Sequence, residues 1–142
     1  MPLVLVALAV LVVVLAFQRR EEVTQVVQQA LDSKWWRSST AEKLGLDNTP
    51  DAIVRANLER VERAVAEVFG GSVDVTSGYR SPAVNEAVGG VRTSKHQRGM
   101  AADLVPPHGS PYTMGDIETK ARASGRFSYV LNEMDHVHVE IA

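Results

Sequence analysis

The chain contains no cysteine. Disulfides, thiol nucleophiles, iron–sulfur clusters and zinc fingers are therefore excluded, and any metal must be held by nitrogen and oxygen. Neither charge dominates: 15 Lys and Arg face 17 Asp and Glu, for a formal net charge of −2. A dedicated nucleic-acid binder carries a strongly basic footprint, so no nucleic-acid partner is expected. No internal repeat is visible, and no low-complexity tract beyond one apolar run near the N-terminus. The His-Glu-x-x-His pattern of helix-borne zinc proteases is also missing. What remains is a chain of 142 residues, 45% apolar and 23% charged. Those are ordinary globular values, and the length suits one domain plus an appendage.

The appendage is N-terminal. Residues 3–17 are 15 consecutive apolar residues, followed by Gln18-Arg19-Arg20-Glu21-Glu22. As a helix the run rises about 22 Å, against about 30 Å of bilayer hydrocarbon. A secretory signal has basic residues before its apolar run and a small-residue cleavage site after it, and neither is clear here. We read residues 1–20 as an uncleaved membrane anchor, with a buried core element or a cleaved signal as the alternatives. Val23, Val26, Val27 and Leu31 recur at helical spacing, so residues 21–40 read as an amphipathic linker helix. Trp35-Trp36 then sits either at a membrane interface or against the following domain.

From residue 41 the pattern is that of a compact α+β domain. Asn48-Thr49-Pro50 reads as a helix start. Ile53, Val54, Leu58, Val61, Val65, Val68 and Phe69 form its apolar stripe, and Gly70-Gly71 closes it. Strands are expected over 72–77, 101–105, 127–131 and 137–141, with helices over 83–88 and 117–124. Helices first, strands later and short connections predict a small antiparallel sheet with flanking helices.

All four histidines, at 96, 108, 136 and 138, lie in the last third of the chain. His96, Asp103 and His138 stand out as candidate metal ligands. Two imidazoles and a carboxylate leave a fourth position open for water, the arrangement of hydrolytic zinc. Strand periodicity puts His136 and His138 on one face of the last strand, with Val137, Val139 and Ile141 turned to the core. His108, in Pro107-His108-Gly109, reads as a plain loop residue. Spacing alone leaves these histidines equally readable as surface or satisfied residues.

The surrounding residues carry more. Ser77-Gly78-Tyr79-Arg80-Ser81-Pro82, Asn85, Val88-Gly89-Gly90, the run Ser94 to Asp103 and Asp135-His136-Val137-His138 occur in that order. Together they resemble the zinc D-alanyl-D-alanine carboxypeptidases, whose relatives include the vancomycin-resistance D,D-dipeptidases and phage L-alanyl-D-glutamate endolysins. The pattern Ser-x-His-x-x-Gly-x-Ala-x-Asp is met at every fixed position. The resemblance covers residues 41–142 and implies the small zinc-peptidase fold of that family.

It implies roles as well. His96, Asp103 and His138 match the zinc ligands, so Zn²⁺ is the expected cofactor. Asp135 matches the catalytic carboxylate, which takes a proton from water and passes it to the leaving amine. Arg80 matches the arginine facing the scissile carbonyl, where a fixed positive charge meets the developing oxyanion. His136 matches an auxiliary active-site histidine, and Ser94 a serine near the substrate. Arg92, Lys95 and Arg98 crowd the His96 loop, and one of them is a candidate partner for a substrate carboxylate.

The implied activity is hydrolysis of peptide bonds flanked by D-amino acids in peptidoglycan stem peptides, foremost D-Ala-D-Ala. The Asp-His-x-His arrangement favours that bond over L-Ala-D-Glu. The alternatives are an L-alanyl-D-glutamate endopeptidase of the phage type and a catalytically inactive zinc-binding envelope module. The chain is expected to be a monomer, tethered by residues 1–20 and facing the cell wall. Arg19-Arg20 after the anchor argues for the opposite, cytoplasmic orientation.

Overall fold

The computed structural model describes residues 34–142. The expected anchor over 1–20, and the linker helix as far as residue 33, lie outside the described residues. Among the described residues no helix is long and apolar enough to cross a membrane.

The end of the expected linker is not one continuous helix. Lys34–Trp36 form a 3-10 turn, and a separate helix, α1 (Ser39–Leu44), follows. Ser38 caps α1, its hydroxyl accepting from the Ala41 amide. Both tryptophans pack on buried Val54, Leu58 and Tyr79. The Tyr79 amide also donates to the Trp35 carbonyl at 2.7 Å. The Trp pair therefore belongs to the domain.

Helix α2 (Ala52–Phe69) starts later than the Asn48-Thr49-Pro50 reading placed it, because Asp51 is the cap. Asp51 Oδ1 accepts from the Val54 amide at 2.8 Å, satisfying one of the orphan donors of a first turn. Asn48 is used elsewhere. Its side-chain amide donates to the carbonyls of Trp36 and Tyr79, and its oxygen accepts from the Ser81 amide. One buried side chain thus ties the N-terminal segment to the loop after the first strand. Ile53, expected in the apolar stripe, is 75% exposed. The first turn carries it past the edge of the core.

The sheet has four antiparallel strands in the order β1-β2-β4-β3, where β1 is Asp74–Ser77, β2 Ala101–Val105, β3 Tyr129–Asn132 and β4 Val137–Glu140. One face packs on α2 and on α4 (Met114–Ser124), burying Val61, Val65, Leu104, Ile117, Val137 and Val139. Helix α4 begins before the expected residue 117, because Thr113 and Asp116 form a reciprocal capping box. A short helix, α3 (Pro82–Ala87), follows β1.

The other face carries polar residues, and the register decides which of them meet. Asp103 pairs with His138 across β2 and β4, and with Ser77 across the β1 edge. Leu131 stands beside His138 on β3, and Tyr129 beside Glu140. Period-2 geometry therefore sends Val137 and Val139 inward and leaves His136, His138 and Glu140 on the polar side.

Candidate metal centre

His96 lies in a single 3-10 turn, Lys95–Arg98. The Ser94 hydroxyl caps this turn by accepting from the His96 amide. Gly99 ends it at φ +66°, and a Cβ there would come within 2.5 Å of the Val54 carbonyl oxygen. Only glycine fits, and the turn leads directly into β2 and Asp103. Ser94, His96, Gly99 and Asp103 thus form one local device: cap, ligand, tight turn, strand ligand.

Three atoms converge. His96 Nε2 lies 3.1 Å from Asp103 Oδ1, His138 Nδ1 lies 2.9 Å from the same oxygen, and the two nitrogens are 3.3 Å apart. The far side of each ring offers an acceptor for its hydrogen. His96 Nδ1 faces the Gly78 carbonyl oxygen at 2.6 Å. A carbonyl only accepts, so Nδ1 carries the hydrogen and Nε2 keeps its lone pair. His138 Nε2 faces Glu140 Oε1 at 3.1 Å, so a hydrogen held there leaves the Nδ1 lone pair free for a ligand. Three acceptors therefore point at one another, which a cation reconciles.

The geometry fits zinc. Bonds of about 2.0–2.2 Å in a tetrahedron put neighbouring donors about 3.3–3.6 Å apart, slightly wider than the triangle observed. His96 and Asp103 are buried and His138 partly so, and the three together can hold a metal ion.

Arg80 stands beside the triangle. Its Nε donates to Ser77 Oγ at 2.8 Å, and its terminal nitrogen pairs with Asp103 Oδ2. Burial pushes the Asp103 carboxyl up. The adjoining His138 and His96 rings and the Arg80 guanidinium outweigh that and hold it well below the ordinary carboxylate range. Burial draws His138 down, but its contacts with Asp103 and Glu140 leave it above the usual imidazole value.

The β3–β4 turn supplies the remaining candidates. Met134 takes a left-handed φ of +69°, so Glu133 and Asp135 flank an exposed corner. His136 Nδ1 donates to Asp135 Oδ1 at 2.8 Å, and its Nε2 lies 3.4 Å from both Asp103 Oδ1 and Glu133 Oε2. Asp135 sits at the rim, its side chain 84% exposed. Its link to the centre runs through His136.

Two cavities open on this line. A larger one, about 690 Å³, is lined by the triad with Ser94, Glu133 and Tyr129 among others. A smaller one, about 270 Å³, is lined by Asp135 and by residues of the N-terminal segment. Of the three basic residues around His96, Lys95 lines the larger cavity, whereas Arg92 and Arg98 line neither. His108 is likewise outside both.

Sequence reasoning gave no role to Glu140, Ser77 or Arg37. Glu140 was within reach, since residues two apart on a strand share a face and His138 stood there already. Ser77 precedes Arg80 by one turn of chain. Arg37 carried no signal, because the loop after β1 brings it to the site.

The sheet and its adjoining loops bring two imidazoles, a carboxylate and an arginine together on one open face, a set that could hold a single metal ion. A family model described as Peptidase M15 matches residues 29–140. The chain belongs to this family, the zinc peptidases that include the D-Ala-D-Ala carboxypeptidases. No curated protein matches the chain.

Proposed function

We propose that the chain is a zinc-dependent D,D-carboxypeptidase that removes terminal D-Ala from peptidoglycan stem peptides. The observation that carries this reading is the convergence of His96 Nε2, Asp103 Oδ1 and His138 Nδ1 beside Arg80. When bound there, zinc supplies a Lewis acid for the carbonyl and a nucleophilic water at neutral pH. The other steps belong to the chain. Arg80 has five N–H donors, and two contacts hold it to Ser77 and Asp103. The donors left over face the carbonyl oxygen as negative charge grows on it. Asp135 accepts a proton from water and returns it to the departing amine. His136, bonded to Asp135, orients that carboxylate. Ser94 holds the His96 turn and borders the cavity that takes the stem peptide.

Glu140 acts behind the metal ligand. A carboxylate on the far ring nitrogen fixes the orientation of a ligating histidine, and its loss costs about 10–100-fold in metal affinity. Glu140→Ala is therefore expected to weaken zinc binding by about that factor, measured by competition with a chelator. Equal affinity in the variant and the wild type would remove Glu140 from the site.

The reading is tested by digesting a muropeptide that carries a pentapeptide stem and identifying the products by mass spectrometry. Release of free D-Ala is expected. Fragments ending in L-Ala, without free D-Ala, would instead identify the L-alanyl-D-glutamate endopeptidase.

A further inference from the structure

The two cavities share Arg80, Val88, Asp103 and His136, so they form one groove that crosses the centre. Their walls differ. His96, His138 and Glu133 belong to the larger side, and Asp135 to the smaller. That asymmetry gives a substrate its direction. In amide hydrolysis the water oxygen bonds to the carbonyl carbon, the C–N bond breaks, and the departing nitrogen must receive a proton. The group that delivers it stands on the nitrogen side. Asp135 lines the 270 Å³ cavity, so the leaving residue sits there and the acyl side occupies the 690 Å³ cavity.

The smaller cavity is lined by Arg37, by Ser38, Ser39, Thr40 and Thr76, and by Arg80. The charge of Arg80 is paired with Asp103. Arg37 has no acidic partner among the described residues, and it is held at the site by its neighbours. Trp36 and Trp35 are anchored by Asn48 and by the Tyr79 amide. The volume suits one small residue, and a planar guanidinium among serines and threonines suits a carboxylate.

We infer that the smaller cavity is the leaving-group subsite and that Arg37 binds the free carboxylate of the terminal residue released. This rests on the peptidase reading and deepens it: the centre is an exopeptidase because its leaving-group side ends in a carboxylate receptor. The larger cavity, with Lys95, then takes the body of the stem.

The test uses the full zinc-loaded chain and a diacetylated Lys-D-Ala-D-Ala peptide, as the free acid and as its C-terminal amide. The wild type should prefer the acid. Arg37→Gln should raise KM for the acid by about tenfold, the effect of losing one charge-assisted contact, and close the gap to the amide. The kcat for the acid should change little, and Arg37→Lys should restore part of the preference. A general structural defect would instead lower kcat on both peptides. An Arg37→Gln enzyme that discriminates as the wild type does overturns the inference, as does a wild type that cleaves the amide equally well, and both leave the peptidase reading standing. A wild type that cleaves neither peptide overturns that reading and the inference with it.

Discussion

Replacing Asp135 by Asn is expected to lower kcat by about 10²–10⁴, the range that a positioned acid–base group contributes. Zinc content and melting temperature should stay at wild-type values. The reason is structural: the Asp135 side chain is 84% exposed and is not one of the three converging ligands. Asn also keeps an oxygen to accept from His136 Nδ1, so the ring should hold its place. What it loses is the capacity to take a proton. The competing group is Glu133, whose carboxylate lies 3.4 Å from His136 Nε2 and lines the larger cavity with the triad. Glu133→Gln is the paired measurement. A wild-type kcat in Asp135→Asn with a collapse in Glu133→Gln would move the acid–base role to Glu133.

Arg80→Lys is expected to cost about 10²–10³ in kcat, the penalty for losing a donor aimed at a developing oxyanion. Unlike Asp135→Asn, it should also loosen the metal. Arg80 joins Ser77 Oγ to Asp103 Oδ2 with two separate nitrogens. An ammonium is a point charge and cannot span both while still facing a substrate. Asp103 is only 2% exposed, and a buried carboxylate deprived of its partner is costly. Turnover and zinc affinity should therefore fall together in Arg80→Lys, measured on one preparation. A wild-type kcat would show that Arg80 serves only to hold Asp103.

The motif Ser94 to Asp103 was legible because every step in it is local: a cap, a ligand, a glycine-only turn and a strand that follows at once. Strand β2 matched its expected bounds because Pro106-Pro107 ends it. Strand β4 was legible from alternation, with Val137 and Val139 buried and His136 and His138 opposite. Local competition blurred the helix starts. Asn48 and Asp51 are both good caps, and only the folded chain shows Asn48 spent on Trp36, Tyr79 and Ser81. The pairing of Asp103 with His138 depends on strand order β1-β2-β4-β3, which no local pattern encodes. Arg37 is the extreme case, since Asn48 and Tyr79 bring its segment to the cavity.

The central claim is that His96, Asp103 and His138 hold a single catalytic zinc. Native mass spectrometry after equilibration with zinc and desalting tests it most directly, on the wild type and on His138→Gln. The account predicts one zinc per wild-type chain and none retained by the variant, with D-Ala release abolished in step. A wild-type chain that retains no stoichiometric metal, and whose activity survives chelation, would contradict it.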